Sequence, residues 1–88
     1  SNAKLWDAEL YGAILHNANL KSTDLFYSDL RTADLTNANL SGANLRHANF
    51  DGAIMDSIIF DGANYDLYTL NTVSDEVKSL LKKEGNLW

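Results

Sequence analysis

The sequence predicts an all-β solenoid, a four-sided coil of about 3.5 turns closed by a C-terminal α-helix. Three observations carry that prediction. A large apolar residue stands at every fifth position from Leu5 to Leu70 without a slip. A small residue stands two places before nearly all of them. After about residue 72 the period stops and a helical pattern replaces it.

The spacing excludes both regular structures. Five residues of α-helix advance about 500°, so successive leucines would drift around the axis and never line one face. In a flat strand an odd spacing sends alternate leucines to opposite faces. A chain that turns a corner once per repeat keeps them all inward, and four sides close a square. Residues twenty apart then stack at the inter-strand spacing of about 4.8 Å. The expected core columns are Leu5, Leu25, Leu45 and Tyr65; Leu10, Leu30, Phe50 and Leu70; Leu15, Leu35 and Met55; and Leu20, Leu40 and Phe60.

The small residues (Ala8, Ala13, Ala18, Thr23, Ser28, Ala33, Ala38, Ala43, Ala48, Ala53 and Ala63) fit where corners crowd the interior. Ile58 and Tyr68 break the rule only in the last turns, where no further coil has to fit above. Between small and large residues the sequence places Glu9, Asn19, Asp24, Asp29, Asp34, Asn39, Asn44, Asn49 and Asn64, whose short polar side chains can bond to turn backbone.

The phrase A(N/D)LXX, written out in ADLTN ANLSG ANLRH from Ala33 to His47, resembles the pentapeptide-repeat proteins over about residues 3–72. The resemblance implies a right-handed quadrilateral β-helix. It implies little about activity, because most members of that family have none assigned. The hexapeptide β-helix of acyltransferases needs a period of six, which this chain lacks.

Residues 1–3, Ser-Asn-Ala, resemble the scar of a cleaved expression tag, and Lys4 follows with no initiating Met. The expectation is a fragment of a longer natural chain, in which any targeting segment or further domain would lie ahead of Lys4. The repeats then occupy residues 4–72 and the closing segment 73–88. Eighty-eight residues are short for a globule, a limit that a solenoid relaxes because each repeat needs only its neighbours. The absence of Cys removes disulfides and thiolate metal sites, and leaves the compartment open with the cytoplasm preferred. No apolar run reaches the ~18 residues of a membrane span.

In the closing segment Ser74 suits an N-cap, Asp75 and Glu76 the first turn, Lys82 and Lys83 the last, and Gly85 the end. Val77, Leu80 and Leu81 share one face with Val73 before them, and are expected to cap the last coil with Leu87 and Trp88. The N-terminal end has no comparable lid.

Outward residues stack too. Trp6, Phe26, Arg46 and Asp66 form one surface column, and Tyr11, Arg31, Asp51 and Asn71 the next. Aromatic rings beside Arg support stacking and cation–π contact, so Trp6, Tyr11, Phe26, Arg31 and Arg46 are the candidate interaction surface. Ile14, Ile54 and Ile59 stand where polar residues dominate, and contact with the C-terminal segment is the expected reason.

Asp51, Asp56, Asp61 and Asp66 fall on successive sides rather than converging, which argues against a metal site. His16 and His47 lie on different faces with no third group beside them. A packed interior leaves no cavity, and no nucleophile elbow or phosphate loop is present. The expectation is a non-enzymatic structural and protein-interaction module without cofactor. Its partner is an unidentified protein rather than nucleic acid or membrane, or a second copy meeting it through a terminal coil or the C-terminal helix.

The alternative is an acidic DNA mimic that binds DNA gyrase or another DNA-binding protein, a role the resemblance suggests. The net charge is -5, with nine acidic and four basic side chains in residues 4–72. Duplex DNA as long as about 3.5 coils, roughly 17 Å, would carry about ten charges.

Overall fold

Every fifth residue of the coil adopts a left-handed backbone, and this is how the corner is made. Asp7, Gly12, Asn17, Ser22, Tyr27, Thr32, Asn37, Gly42, His47, Gly52, Ser57 and Gly62 all have φ between 57° and 72°. All but Ser57 are the third residue of a tight turn closed by a hydrogen bond, such as Ala8 N–H to Leu5 C=O at 3.0 Å and Ala38 N–H to Leu35 C=O at 2.9 Å. Positive φ at that position alone is the type II turn, which favours Gly. A computed structural model describes residues 4–88; the tag-scar reading of residues 1–3 lies outside it.

Between corners the chain is extended just long enough to pair with the level above. Lys4 bridges Asp24, Asp24 bridges Asn44, and Asn44 bridges Asn64, all in parallel. The other three sides do the same through Glu9, Asp29 and Asn49, through Ile14, Asp34 and Ile54, and through Asn19, Asn39 and Ile59. The twenty-residue stacking expected from the period is therefore the register of the coil. The sides are single bridges rather than long strands, because the turn uses most of each repeat.

Leu25, Leu30, Leu35, Leu40, Leu45, Phe50 and Phe60 point into the interior and are fully buried. So are Ala33, Ala38, Ala43 and Ala48, where a larger side chain would meet the turn backbone. Ser28 fits among them by donating its hydroxyl to Leu25 C=O at 2.7 Å. The residue between small and large works as its chemistry suggests: Asp24, Asp29, Asp34, Asn39, Asn44 and Asn49 each accept the backbone N–H two residues on, at 3.0–3.2 Å. Leu5, Leu10, Leu15 and Leu20, on the first level, are only half-buried.

Thr32 is the costliest corner, since a β-branched residue rarely tolerates φ of 58°. Removing its Cβ relieves a left-handed cost of about 1–2 kcal/mol and adds a glycine entropy cost of about 0.5–1 kcal/mol. Thr32→Gly is expected to raise stability by about 0.5–1 kcal/mol in urea unfolding. Thr36→Gly, where φ is not positive, is expected to lower it.

The end of the coil departs from the sequence reading. After β1 (Asn64–Tyr65) the chain enters a helical turn, α1 (Leu67–Leu70), instead of repeating to residue 72. Asp66 causes the change: its carboxylate accepts Thr69 N–H at 3.0 Å and so caps α1. Leu70 still reaches the core, but from a helix, while Tyr68 turns outward. Then α2 (Asp75–Glu84) begins at Ser74, whose hydroxyl oxygen accepts Val77 N–H. Leu81 is fully buried in the core, with Val77 and Leu80 packed at its edge.

β2 (Asn86–Leu87) pairs in parallel with β1, Asn64 opposite Asn86 and Tyr65 opposite Leu87. The ladder through Asn44 and Asn64 is thus carried one level higher by the tail. Trp88, expected among the capping residues, is instead 68% exposed on the side of the coil, because the β2 register turns it out.

One expectation fails outright. The interior is filled, yet a cleft of about 840 Å³ opens between the last level of the coil and α2, floored by Met55 and walled by Val77 and Leu80. It exists because the chain leaves the coil after Val73, so Met55 has no residue above it. Ile54 lines that cleft and stays half exposed, while Ile14, 81% exposed at the other end, meets nothing of the C-terminal segment.

Candidate interaction surface

The twenty-residue register brings outward side chains into ladders, and two of the expected contacts form. On the second face the Arg31 guanidinium lies 5.1 Å from the Tyr11 ring centroid. Asp29 fixes it there, accepting from Nε and Nη2 at 2.9 Å each. The Arg31 hydrogen bonds in turn hold the Asp29 carboxyl below its usual range. On the first face Arg46 stands 5.6 Å from the Phe26 centroid and 4.8 Å from that of Trp88. Its Nε donates to Asn44 Oδ1 at 3.1 Å, which pins the base of the side chain.

Trp6 does not join this group. Among the described residues no ring contact links it to Phe26, whose ring meets Tyr27 edge-on at 4.9 Å and His47 at 5.8 Å. Asp66 is also absent from the outward column, being engaged at the cap of α1.

The structure adds side chains that the columns omitted. Tyr27 and His47 occupy left-handed corners stacked one level apart, with ring centroids 4.9 Å apart, and His47 stacks on Tyr68 of α1 at 5.4 Å and 18°. Their twenty-residue spacing is the same signal that aligned Phe26 with Arg46. Tyr68 depends on α1 and gives no such signal. The three rings and Arg31 border a shallow notch of about 340 Å³.

Neither histidine stands alone, contrary to the expectation. His16 Nε2 bonds the Asp34 carboxylate, and His47 Nδ1 bonds that of Asp66. Asp66 also accepts the backbone N–H of His47 at 3.1 Å. Burial would raise the Asp66 carboxyl, but the N–H donors of Thr69 and His47 outweigh it and hold the group below the usual carboxylate range.

A depressed carboxylate stabilises the fold above its unfolded value of about 3.9, and that contribution is lost as pH falls through the folded value. Asp66→Asn is therefore expected to lower stability at neutral pH, and the gap between variant and wild type to narrow as pH falls below the unfolded value of about 3.9. Urea unfolding across that range checks it; a gap independent of pH would contradict the assignment.

No helix among the described residues is long and apolar enough to cross a membrane. The surface offers aromatic faces, two guanidinium groups held against rings and a shallow notch.

Comparison with known proteins places these features in context. A family model described as pentapeptide repeats matches residues 1–31 and 28–64, with eight copies. No curated protein matches the chain. Among solved structures, a pentapeptide repeat protein from the cyanobacterium Cyanothece 51142 is 34% identical with a TM-score of 0.75, over 77% of this chain and 46% of that one. This chain thus spans less than half the length of that relative. A pentapeptide repeat protein from Nostoc Pcc 7120 is 30% identical with a TM-score of 0.67, over 100% of this chain and 83% of that one.

Proposed function

Because the chain belongs to the pentapeptide-repeat family, whose members form right-handed quadrilateral β-helices, we propose that it is a non-enzymatic protein-interaction module. Its contact surface is the ladder of Phe26, Tyr27, Arg46, His47, Tyr68 and Trp88, with Tyr11 and Arg31 on the adjoining face. One observation carries this reading. Rings from successive levels touch one another and an Arg, so the surface is apolar, rigid and ordered before any partner arrives. Aromatic and Arg side chains dominate binding energy at protein interfaces, and preordering lowers the cost of using them.

In the same reading the coil has about 3.5 levels, α1 completing the last, and α2 is the lid that covers it through Leu81. The acidic-mimic alternative is weaker. Across even the shortest molecular dimension, 21 Å, duplex DNA would carry about twelve charges, against a net -5 here, and Arg31 and Arg46 interrupt the acidic surface.

The test compares proteins captured by immobilised wild type and by Phe26→Ala/Arg46→Ala/Tyr68→Ala, with circular dichroism confirming the fold. Recovery of the specific partner is expected to fall more than about tenfold. An unchanged profile would remove this surface from consideration.

A further inference from the structure

The cleft beside α2 is an open edge of the coil, and its chemistry specifies what can close it. One level lower on the same side three backbone groups pair with the level above: Leu35 N–H donates to Ile54 C=O at 2.7 Å, Asn37 N–H to Asp56 C=O at 2.9 Å, and Ala33 C=O accepts Ile54 N–H at 2.9 Å. One level up, the equivalent groups are Met55 N–H, Ser57 N–H and Ala53 C=O. Among the described residues none of these three has a backbone partner. The register that aims Leu35 N–H at the level above aims Met55 N–H into the cleft.

The walls add two constraints. Met55, Val77 and Leu80 make the floor and one side apolar. Asp51, Asp56 and Glu76 border the cleft, and no Lys, Arg or His lines it. An occupant must therefore be extended, offer backbone donors and acceptors in parallel register, place an apolar side chain over Met55 and carry positive charge beside it.

We propose that this cleft binds a short basic segment of a partner protein by β-strand addition, the segment taking the place of the missing side of the coil. Main-chain bonds supply affinity in this mode and alternate side-chain pockets supply selectivity. A second copy of this chain is a poor occupant, since two molecules of net charge -5 repel. The site is separate from the aromatic ladder, so either can fail without the other.

The probe is the peptide acetyl-Lys-Ala-Val-Leu-Arg-Lys-amide, titrated into the full chain with amide shifts followed by NMR. The largest shifts are expected at Met55 and Ser57. Replacing each Lys and Arg of the peptide by Glu, or using the variant Asp56→Asn/Glu76→Gln, is expected to weaken binding about tenfold at low salt. Methylating the Val amide nitrogen, which removes the N–H meant for Ala53 C=O, is expected to abolish the Met55 and Ser57 shifts.

Shifts that survive N-methylation would reduce the site to a charged surface and overturn strand addition. So would an absence of shifts at millimolar peptide, shifts centred on Tyr27 and His47, or Met55 shifts on dilution without peptide, the sign of self-association.

Discussion

Leu35→Ala is expected to lower the unfolding free energy by about 3–5 kcal/mol, near the top of the range for buried leucines. Leu35 is fully buried at the middle level of its column, between Leu15 below and Met55 above. The cost of such a change depends on how far the surroundings can collapse into the space. Here the ladder resists collapse, because Leu15 N–H bonds Asp34 C=O at 2.8 Å and Leu35 N–H bonds Ile54 C=O at 2.7 Å, fixing the spacing between levels. Leu15→Ala, in the same column on the half-open first level, is expected to cost only about 1 kcal/mol, since part of its surface already meets solvent. A domain of this length holds about 5–13 kcal/mol in all, so the first change takes a large share. Urea unfolding of both variants gives the comparison; equal losses would contradict the stacked-column core.

The same ladder explains which parts of the molecule are legible from residues alone. A five-residue period repeated from Leu5 to Leu45 leaves only one register, so the buried columns and the Tyr11–Arg31 and Phe26–Arg46 contacts follow from spacing. The corner mechanism had a signal too. Gly12, Gly42, Gly52 and Gly62 share one repeat position, the one with positive φ, though eight other residues there carry side chains and obscure it.

The C-terminal end is harder to read because tertiary contacts decide it. Asp66 stands at the same repeat position as Asp51, Asp56 and Asp61, but only Asp66 has Thr69 N–H and the His47 ring within reach, and there the chain turns helical. Leu70 keeps the period by coincidence of burial rather than of backbone. Asn86-Leu87 repeats the Asn-Leu phrase of Asn39-Leu40 and Asn44-Leu45, yet two residues alone cannot announce a strand. Its register is what carries Trp88 to Arg46 rather than over the core.

Gly85→Ala should detach that tail. The constraint at Gly85 is space and not backbone conformation, since its φ of -98° is open to any residue. A Cβ there would lie 2.8 Å from Ala63 C=O oxygen and 2.9 Å from Leu81 C=O oxygen, both backbone atoms that cannot swing aside. Relief requires the chain to lift away from β1. The bonds at stake are Gly62 N–H to Glu84 C=O, Gly85 N–H to Leu81 C=O, Asn86 N–H to Ala63 C=O and Trp88 N–H to Tyr65 C=O, all at 2.7–2.8 Å. Losing most of them, at about 0.5–1.5 kcal/mol net each, gives an expected destabilisation of about 2–4 kcal/mol. The loss should be local first. Amide exchange is expected to accelerate at Gly62, Asn86 and Trp88 while Leu25, Leu35 and Leu45 stay protected, because each level is held chiefly by its neighbours. Trp88 should also move away from Arg46, shifting its fluorescence toward that of a free indole. Unchanged exchange at Gly62 and Asn86 would mean that the tail is not held by this contact. Uniform acceleration through Leu35 would show instead that α2 and β2 stabilise the whole coil, so that its levels unfold as one unit and not from the end.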